Sequence, residues 1–219
     1  VKALEAVDLY RFYHIADEET RALRGVSLSL EPGELVAVMG ASGSGKSTLL
    51  ACLAGLDEPD GGYVNVAGQR LTRRPEDERD ELRAKFVGTM LQSDNLFEHL
   101  SVLENVQFAA ILAGRDQSQA ADWLKRVGLG ERLHSRPSQL SGGELARAGL
   151  AAALVGRPAV LLADEPTAEV DASTEILVLG ELEAFCAQGG AALISTHSPE
   201  LARRAGRVLR IQDGRLADA

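Results

Sequence analysis

Gly40-Ala41-Ser42-Gly43-Ser44-Gly45-Lys46-Ser47 sets a glycine, four residues, then Gly-Lys-Ser. That spacing suits a nucleoside triphosphate. Glycines let successive backbone N–H groups curl around phosphates with no Cβ in the way. Lys46 adds a point charge for the β and γ oxygens, and the Ser47 hydroxyl is a Mg²⁺ ligand. Thr48 belongs to the same phosphate-binding set. Far downstream, Leu162-Ala163-Asp164-Glu165 puts two adjacent carboxylates at the end of an apolar run. In that pairing Asp164 holds Mg²⁺ through water. Glu165 polarises the attacking water, a weak nucleophile that must lose its proton on reaching the γ-phosphate. A third element, Leu140-Ser141-Gly142-Gly143-Glu144, has the form of a capping box with two glycines exposing amides at a helix start. A capped helix does not need both glycines, whereas an anion site does.

These groups need elements to hold them. Leu35-Val36-Ala37-Val38-Met39 reads as a short buried strand, and Ser47 to Leu53 reads as a helix. The glycine loop then joins a strand to a helix N-terminus, where free amides and the dipole favour an anion. Val160 to Ala163 is a second buried strand, with Asp164 and Glu165 at its C-terminal end, where open α/β sheets bind ligands. Ser101 and Glu104 form another capping box ahead of Val102, Val106, Ala109, Ala110 and Ala113, with Gly114 as the stop. Strand and helix patterns then alternate: a helix from Thr174 to Ala187, and strands Ala191 to Ser195 and Val208 to Ile211.

Near-continuous apolar strands with intervening helices imply a mainly parallel sheet covered on both faces. The expected fold is α/β: a P-loop NTPase core, an N-terminal antiparallel β subdomain and an inserted α-helical subdomain. Residues 1–219 form one domain in this reading, with 1–94 and 156–219 as the nucleotide-binding core and 95–155 as the helical subdomain. The charged stretch Arg73 to Arg83 reads as a solvated helix face.

Composition narrows the function classes. The chain of 219 residues is 45% hydrophobic and 25% charged, as in an ordinary globular protein with a real core. No apolar run is long enough to span a membrane, and the start shows no signal-peptide pattern. The formal net charge of −9 argues against broad nucleic-acid binding, so no nucleic-acid partner is expected. Cys52 and Cys186 lie in apolar surroundings without disulfide or metal spacing, which reads as buried thiols in a reducing compartment.

Over essentially its whole length the chain resembles the nucleotide-binding subunit of ATP-binding cassette (ABC) transporters. Leu140 to Glu144 resembles the family signature. By resemblance, the signature residues Ser141, Gly142, Gly143 and Glu144 face the P-loop of a second subunit, sandwiching two ATP molecules in a head-to-tail dimer, with a homodimer as the simpler expectation. Gln92 matches the glutamine that touches Mg²⁺ and the attacking water. His197, after the strand taken as the last of the core, matches the histidine that contacts the γ-phosphate. Asp171 matches the D-loop aspartate. Tyr13 matches the aromatic that stacks on adenine, with Tyr10 and Phe12 as near alternatives.

A finer resemblance, to the lipoprotein-release, macrolide-export and FtsE-like branch, rests on Leu162 to Thr167, Gly55-Leu56-Asp57-Glu58-Pro59 and Glu98 to Val106. It implies an ATPase coupled to an integral membrane permease on a separate chain, and a cytoplasmic location at the inner face of the membrane. Departures from the pattern are Ala152, where a second Arg is usual, and Ala168 and Glu169 in the D-loop. The competing readings are a non-transport ABC ATPase of DNA repair or ribosomes, a P-loop kinase, and a motor transmitting force to a cell-wall enzyme.

Overall fold

The computed structural model describes the chain except residues 16–17, 93–94, 169 and 218–219, and side chains are described outside 14–19. Two sheets carry the architecture. The first is antiparallel and four-stranded, in the order β2 (Glu18–Leu30), β1 (Leu4–Ile15), β4 (Gly61–Val66), β5 (Gln69–Arg70). The second holds β3 (Leu35–Met39), β6 (Val87–Met90), β7 (Val160–Asp164), β8 (Ala191–Ser195), β9 (Arg207–Gln212) and β10 (Arg215–Ala217), in the order β10-β9-β3-β8-β7-β6. Its pairs are parallel except for the antiparallel β9–β10 edge.

Strands β3, β7 and β8 are buried along nearly their whole lengths, which is why they read as apolar runs without alternation. One face of the parallel sheet packs with helix α1 (Lys46–Leu53) against the antiparallel sheet, through Val36, Val38, Leu49, Leu53 and Leu162 among others. The opposite face packs on α5 (Gly142–Val155), α6 (Ala172–Ala187) and α7 (Pro199–Arg204) through Leu150, Leu154, Leu179, Leu182 and Leu201. A third cluster joins α3 (Val102–Leu112), α4 (Ala120–Arg126) and the buried face of α5 through Val106, Leu124 and Ala151. The α5 helix therefore belongs to two cores, linking the signature end of the chain to the parallel sheet.

Helix α2 (Glu76–Phe86) has no buried residue, as its charge pattern predicts. One expectation is corrected. Strand β8 is not the last strand of the core, because β9 follows it and pairs in parallel with β3. Exposed Arg210 and Gln212 and half-buried Arg207 give β9 a more polar pattern than β3, β7 and β8, which hid its place beside β3. Cys52 and Cys186 are buried free thiols.

Candidate functional site

The glycine loop joins β3 to α1. Gly45 caps the helix at φ 105°, and a Cβ there would lie 2.4 Å from the carbonyl oxygen of Ala22. Only glycine satisfies both conditions. The buried Lys46 ammonium donates to the carbonyls of Gly40 (2.8 Å) and Ala41 (3.1 Å), holding the loop curled.

Strands β7 and β8 run side by side with Asp164 opposite Ser195. The buried Ser195 hydroxyl donates to Asp164 Oδ1 and accepts from the Glu165 amide at 3.2 Å, while that amide also meets the Ser195 carbonyl at 3.1 Å. Glu165 is thereby held at φ 49°, a left-handed conformation costing a non-glycine residue on the order of 1 kcal/mol. His197, just beyond β8, brings Nε2 to 3.1 Å from Glu165 Oε1, a contact that is ionic only when the imidazole is protonated.

Both ends open on one cavity of about 640 Å³ lined by Lys46, Ser47, Gln92, Asp164, Glu165 and His197. Tyr13, Ser42, Gly43, Gly45 and Thr48 also line it, whereas Gly40, Ala41 and Ser44 face a second cavity on the other side of the loop. Of the three candidate aromatics, Tyr13 is the one at this wall. Tyr10 instead packs over Gly25 and Gly61, and its ring lies 6.2 Å from that of Phe12. The Tyr13 hydroxyl donates to Asp57 at 2.6 Å. Burial and that carboxylate push the Tyr13 phenol above its ordinary pKa. Burial also works against ionised Asp57, but hydrogen bonds from Arg11 and Tyr13 outweigh it and hold the carboxyl below its usual range.

The Ser-Gly-Gly-Glu segment lies apart from this cavity. Ser141 caps α5, its hydroxyl accepting from the Glu144 amide at 3.3 Å while Glu144 Oε2 accepts from the Ser141 amide at 2.9 Å. Arg132 pairs with Glu144 at 3.0 Å. Gly142 has nothing within 4 Å of a Cβ position and lines a neighbouring 360 Å³ cavity together with Gln92, Glu165 and Ala168. Arg147 donates to the Gly143 and Val127 carbonyls, fastening the signature to α4's end. Asp171 caps α6, accepting from the Thr174 amide at 2.9 Å and from the Ser173 hydroxyl at 2.5 Å. Those two bonds, the Ser173 hydroxyl first, lower its carboxyl to about 2. Ala152 lines a groove of 410 Å³ between α2, α3 and α5. Glu169 lies outside the described residues.

Ser195 and Asp57 were missed in the sequence. A serine inside a strand and an aspartate in a turn carry no local signal of such roles.

A glycine loop between a parallel strand and a helix, with paired carboxylates on a nearby parallel strand, defines a P-loop nucleotide-binding fold. The chain belongs to the ABC transporter family, whose pattern, described as "ABC transporter", matches residues 23–168. It is 39% identical over 219 residues to an uncharacterized ABC transporter ATP-binding protein of Thermotoga maritima, covering 98% of this chain and 94% of that one. It is 42% identical over 217 residues to the macrolide export ATP-binding/permease protein MacB of Hyphomonas neptunium, covering 97% of this chain and 34% of the relative. The chain thus spans about a third of the length of the MacB relatives it matches. Its structure superposes with a TM-score of 0.93 and 30% identity on a dimeric post-hydrolysis state of the ATP-binding cassette MJ0796 bound to ADP and Pi, covering 98% of this chain and 97% of that one.

Proposed function

We propose that the chain is the ATP-hydrolysing motor subunit of an ABC transporter, closing as a dimer around two Mg-ATP and driving an integral membrane partner. The observation that carries this reading is the single cavity shared by Lys46, Ser47, Gln92, Asp164, Glu165 and His197. Loop amides and Lys46 hold the phosphates, the ammonium exchanging its two carbonyl partners for β and γ oxygens. Mg²⁺ fits the donors present, since the Ser47 hydroxyl, the Gln92 amide oxygen and the Asp164 carboxylate are all hard oxygens on one cavity wall. When bound, the ion draws charge off the transferring phosphoryl group.

Glu165 takes the proton of the attacking water as its oxygen bonds to the γ-phosphorus. The bond to the β,γ-bridging oxygen breaks, leaving ADP and phosphate. The strained Glu165 backbone, pinned by Ser195, keeps that carboxylate aimed into the cavity. His197, on the segment after β8, orients Glu165 on the segment after β7 and reaches the γ-phosphate from there.

Gly142, open to the surface at the α5 start, faces the ATP bound by a second copy of the chain. The dimeric cassette of similar structure and the fused permease of the MacB relatives support this assembly. The membrane partner docks at Gln92 and along residues 95–104 and into the adjoining groove of Leu56, Leu112 and Ala152, placing the chain at the cytoplasmic face of the membrane. Among the described residues no helix is long and apolar enough to cross a membrane. The test is to trap the ATP state with Glu165→Gln and identify what co-purifies. An integral membrane protein supports the proposal, and ribosomes or DNA would replace it with the non-transport reading.

A further inference from the structure

Resting on the reading of the cavity as an ATP site, we propose that Asp57 and Arg11 are positioning residues for the nucleobase. They fix the Tyr13 ring from behind, so that its remaining face stacks on the purine.

Arg11 makes a two-point pair with Asp57, Nε to Oδ2 and Nη2 to Oδ1 both at 2.8 Å. Asp57 Oδ2 also accepts from the Tyr13 hydroxyl at 2.6 Å. The Arg11 guanidinium carbon stands 4.7 Å from the centroid of the Tyr13 ring. Asp57 therefore ties the tip of the phenol to the cation that covers one ring face, and Asp60, 3.3 Å from Arg11 Nη1, holds that cation from a second point. Tyr13 lines the cavity, and Arg11 and Asp57 do not. Arg11 covers one face of the ring, which leaves the other for a planar ligand in the cavity.

The backbone supports the same geometry. Asp60 accepts from the Phe12 amide at 2.7 Å, and its own amide donates to the Tyr10 carbonyl at 2.9 Å. The turn 57–60 thus grips strand β1 on both sides of Arg11. This turn leaves α1, where the Leu56 and Asp57 amides both meet the Ala51 carbonyl. The helix whose start holds the phosphates therefore also sets, through its exit turn, the place of the aromatic. Spacing between the triphosphate and base sites is built into one rigid element rather than left to the end of a strand. An immobilised ring loses less freedom on stacking, and the attraction between Arg11 and the ring helps to immobilise it.

The test compares the affinity of the purified chain for Mg-ADP and for Mg-pyrophosphate, which has no base. Tyr13→Phe keeps the ring but loses the bond to Asp57, Asp57→Ala loses the phenol's acceptor and the two-point pair while leaving Arg11 its weaker contact with Asp60 at 3.3 Å, and Asp57→Asn keeps a carbonyl acceptor. Tyr13→Phe and Asp57→Ala should each weaken ADP by about tenfold, with pyrophosphate unchanged. Their double variant should be no worse than Asp57→Ala, and Asp57→Asn should recover most of the loss. ADP affinity within about twofold of the parent in Tyr13→Phe, while Tyr13→Ala binds weakly, would overturn the positioning role and leave the ATP site standing. Equal losses for ADP and pyrophosphate would reduce the cluster to a structural tie. A parent chain that binds neither probe would remove the ATP reading itself. Should Asp57→Ala not fold, Tyr13→Phe decides alone.

Discussion

Thr174 lies against Gly143: a Cβ on that glycine would meet the Thr174 hydroxyl oxygen at 2.8 Å. Thr174 is itself held by Asp171, which accepts from its amide and, at 3.2 Å, its hydroxyl. The starts of α5 and α6 thus interlock within one subunit. The proposed ATP contacts at Ser141 and Gly142 therefore rest on the same support as the D-loop.

The two signature glycines should respond differently to alanine. Gly143→Ala forces Thr174 aside and should lower the stability of the isolated chain by about 1–3 kcal/mol, read by urea unfolding. Gly142→Ala meets open space, so it should leave stability nearly unchanged while suppressing ATP-driven dimerisation in light scattering. Equal stability losses at both positions would count against the outward-facing role of Gly142.

Ser195→Ala removes a hydroxyl that serves Asp164 and Glu165 together. It should destabilise the chain by about 1–3 kcal/mol, since it takes the hydroxyl donor from Asp164 and leaves the Glu165 amide with only the Ser195 carbonyl. Turnover at saturating ATP should fall roughly ten- to a hundredfold as Glu165 loses its aim. A variant with reduced stability and full turnover would show that Ser195 is only packing.

The Asp171 cap sets an acid limit. Its folded carboxyl titrates at about 2, below the ordinary 3.8, because the Ser173 hydroxyl and Thr174 amide donate to the ionised form. Below about pH 3.8 the unfolded chain takes up a proton that the folded chain refuses. This contribution is therefore whole above that pH and is lost as pH falls through about 2. In Asp171→Asn the pH dependence of unfolding across this window should flatten, measured by acid-titrated urea melts.

Burial pushes the Cys52 thiol to about 12 and the Cys186 thiol to about 11. Neither should react with a disulfide reagent at pH 8 in the folded chain, and both should react in urea. Rapid labelling of the native protein, followed by absorbance, would contradict the buried placement of either residue.

The parts of the site legible in sequence are those written in neighbouring residues. The glycine loop, the Asp164-Glu165 pair and the capping boxes at Ser101 and Ser141 are each written within six positions of the chain, and the structure contains both boxes as read. What could not be read depends on chain segments meeting. Arg11 and Asp57 are 46 positions apart, and Asp164 and Ser195 are 31 apart. The choice among Tyr10, Phe12 and Tyr13 was hidden for a different reason. Strand β1 shifts register between Ala6 and Leu9, between Leu9 and Tyr10 and again between Arg11 and Phe12, so simple alternation does not say which ring faces the cavity. Likewise, Val208 to Ile211 reads as a strand, but its place beside β3 comes from a pairing between distant segments that its own residues do not state.

The proposed function requires Glu165 to drive ATP hydrolysis across a dimer of this chain. The direct measurement is phosphate release together with oligomeric state for the parent and for Glu165→Gln, in Mg-ATP. The parent should turn over slowly and steadily, and the variant at least about a hundredfold less, accumulating as an ATP-bound dimer. A Glu165→Gln chain that stays monomeric with ATP and releases phosphate at the parent's rate would contradict it.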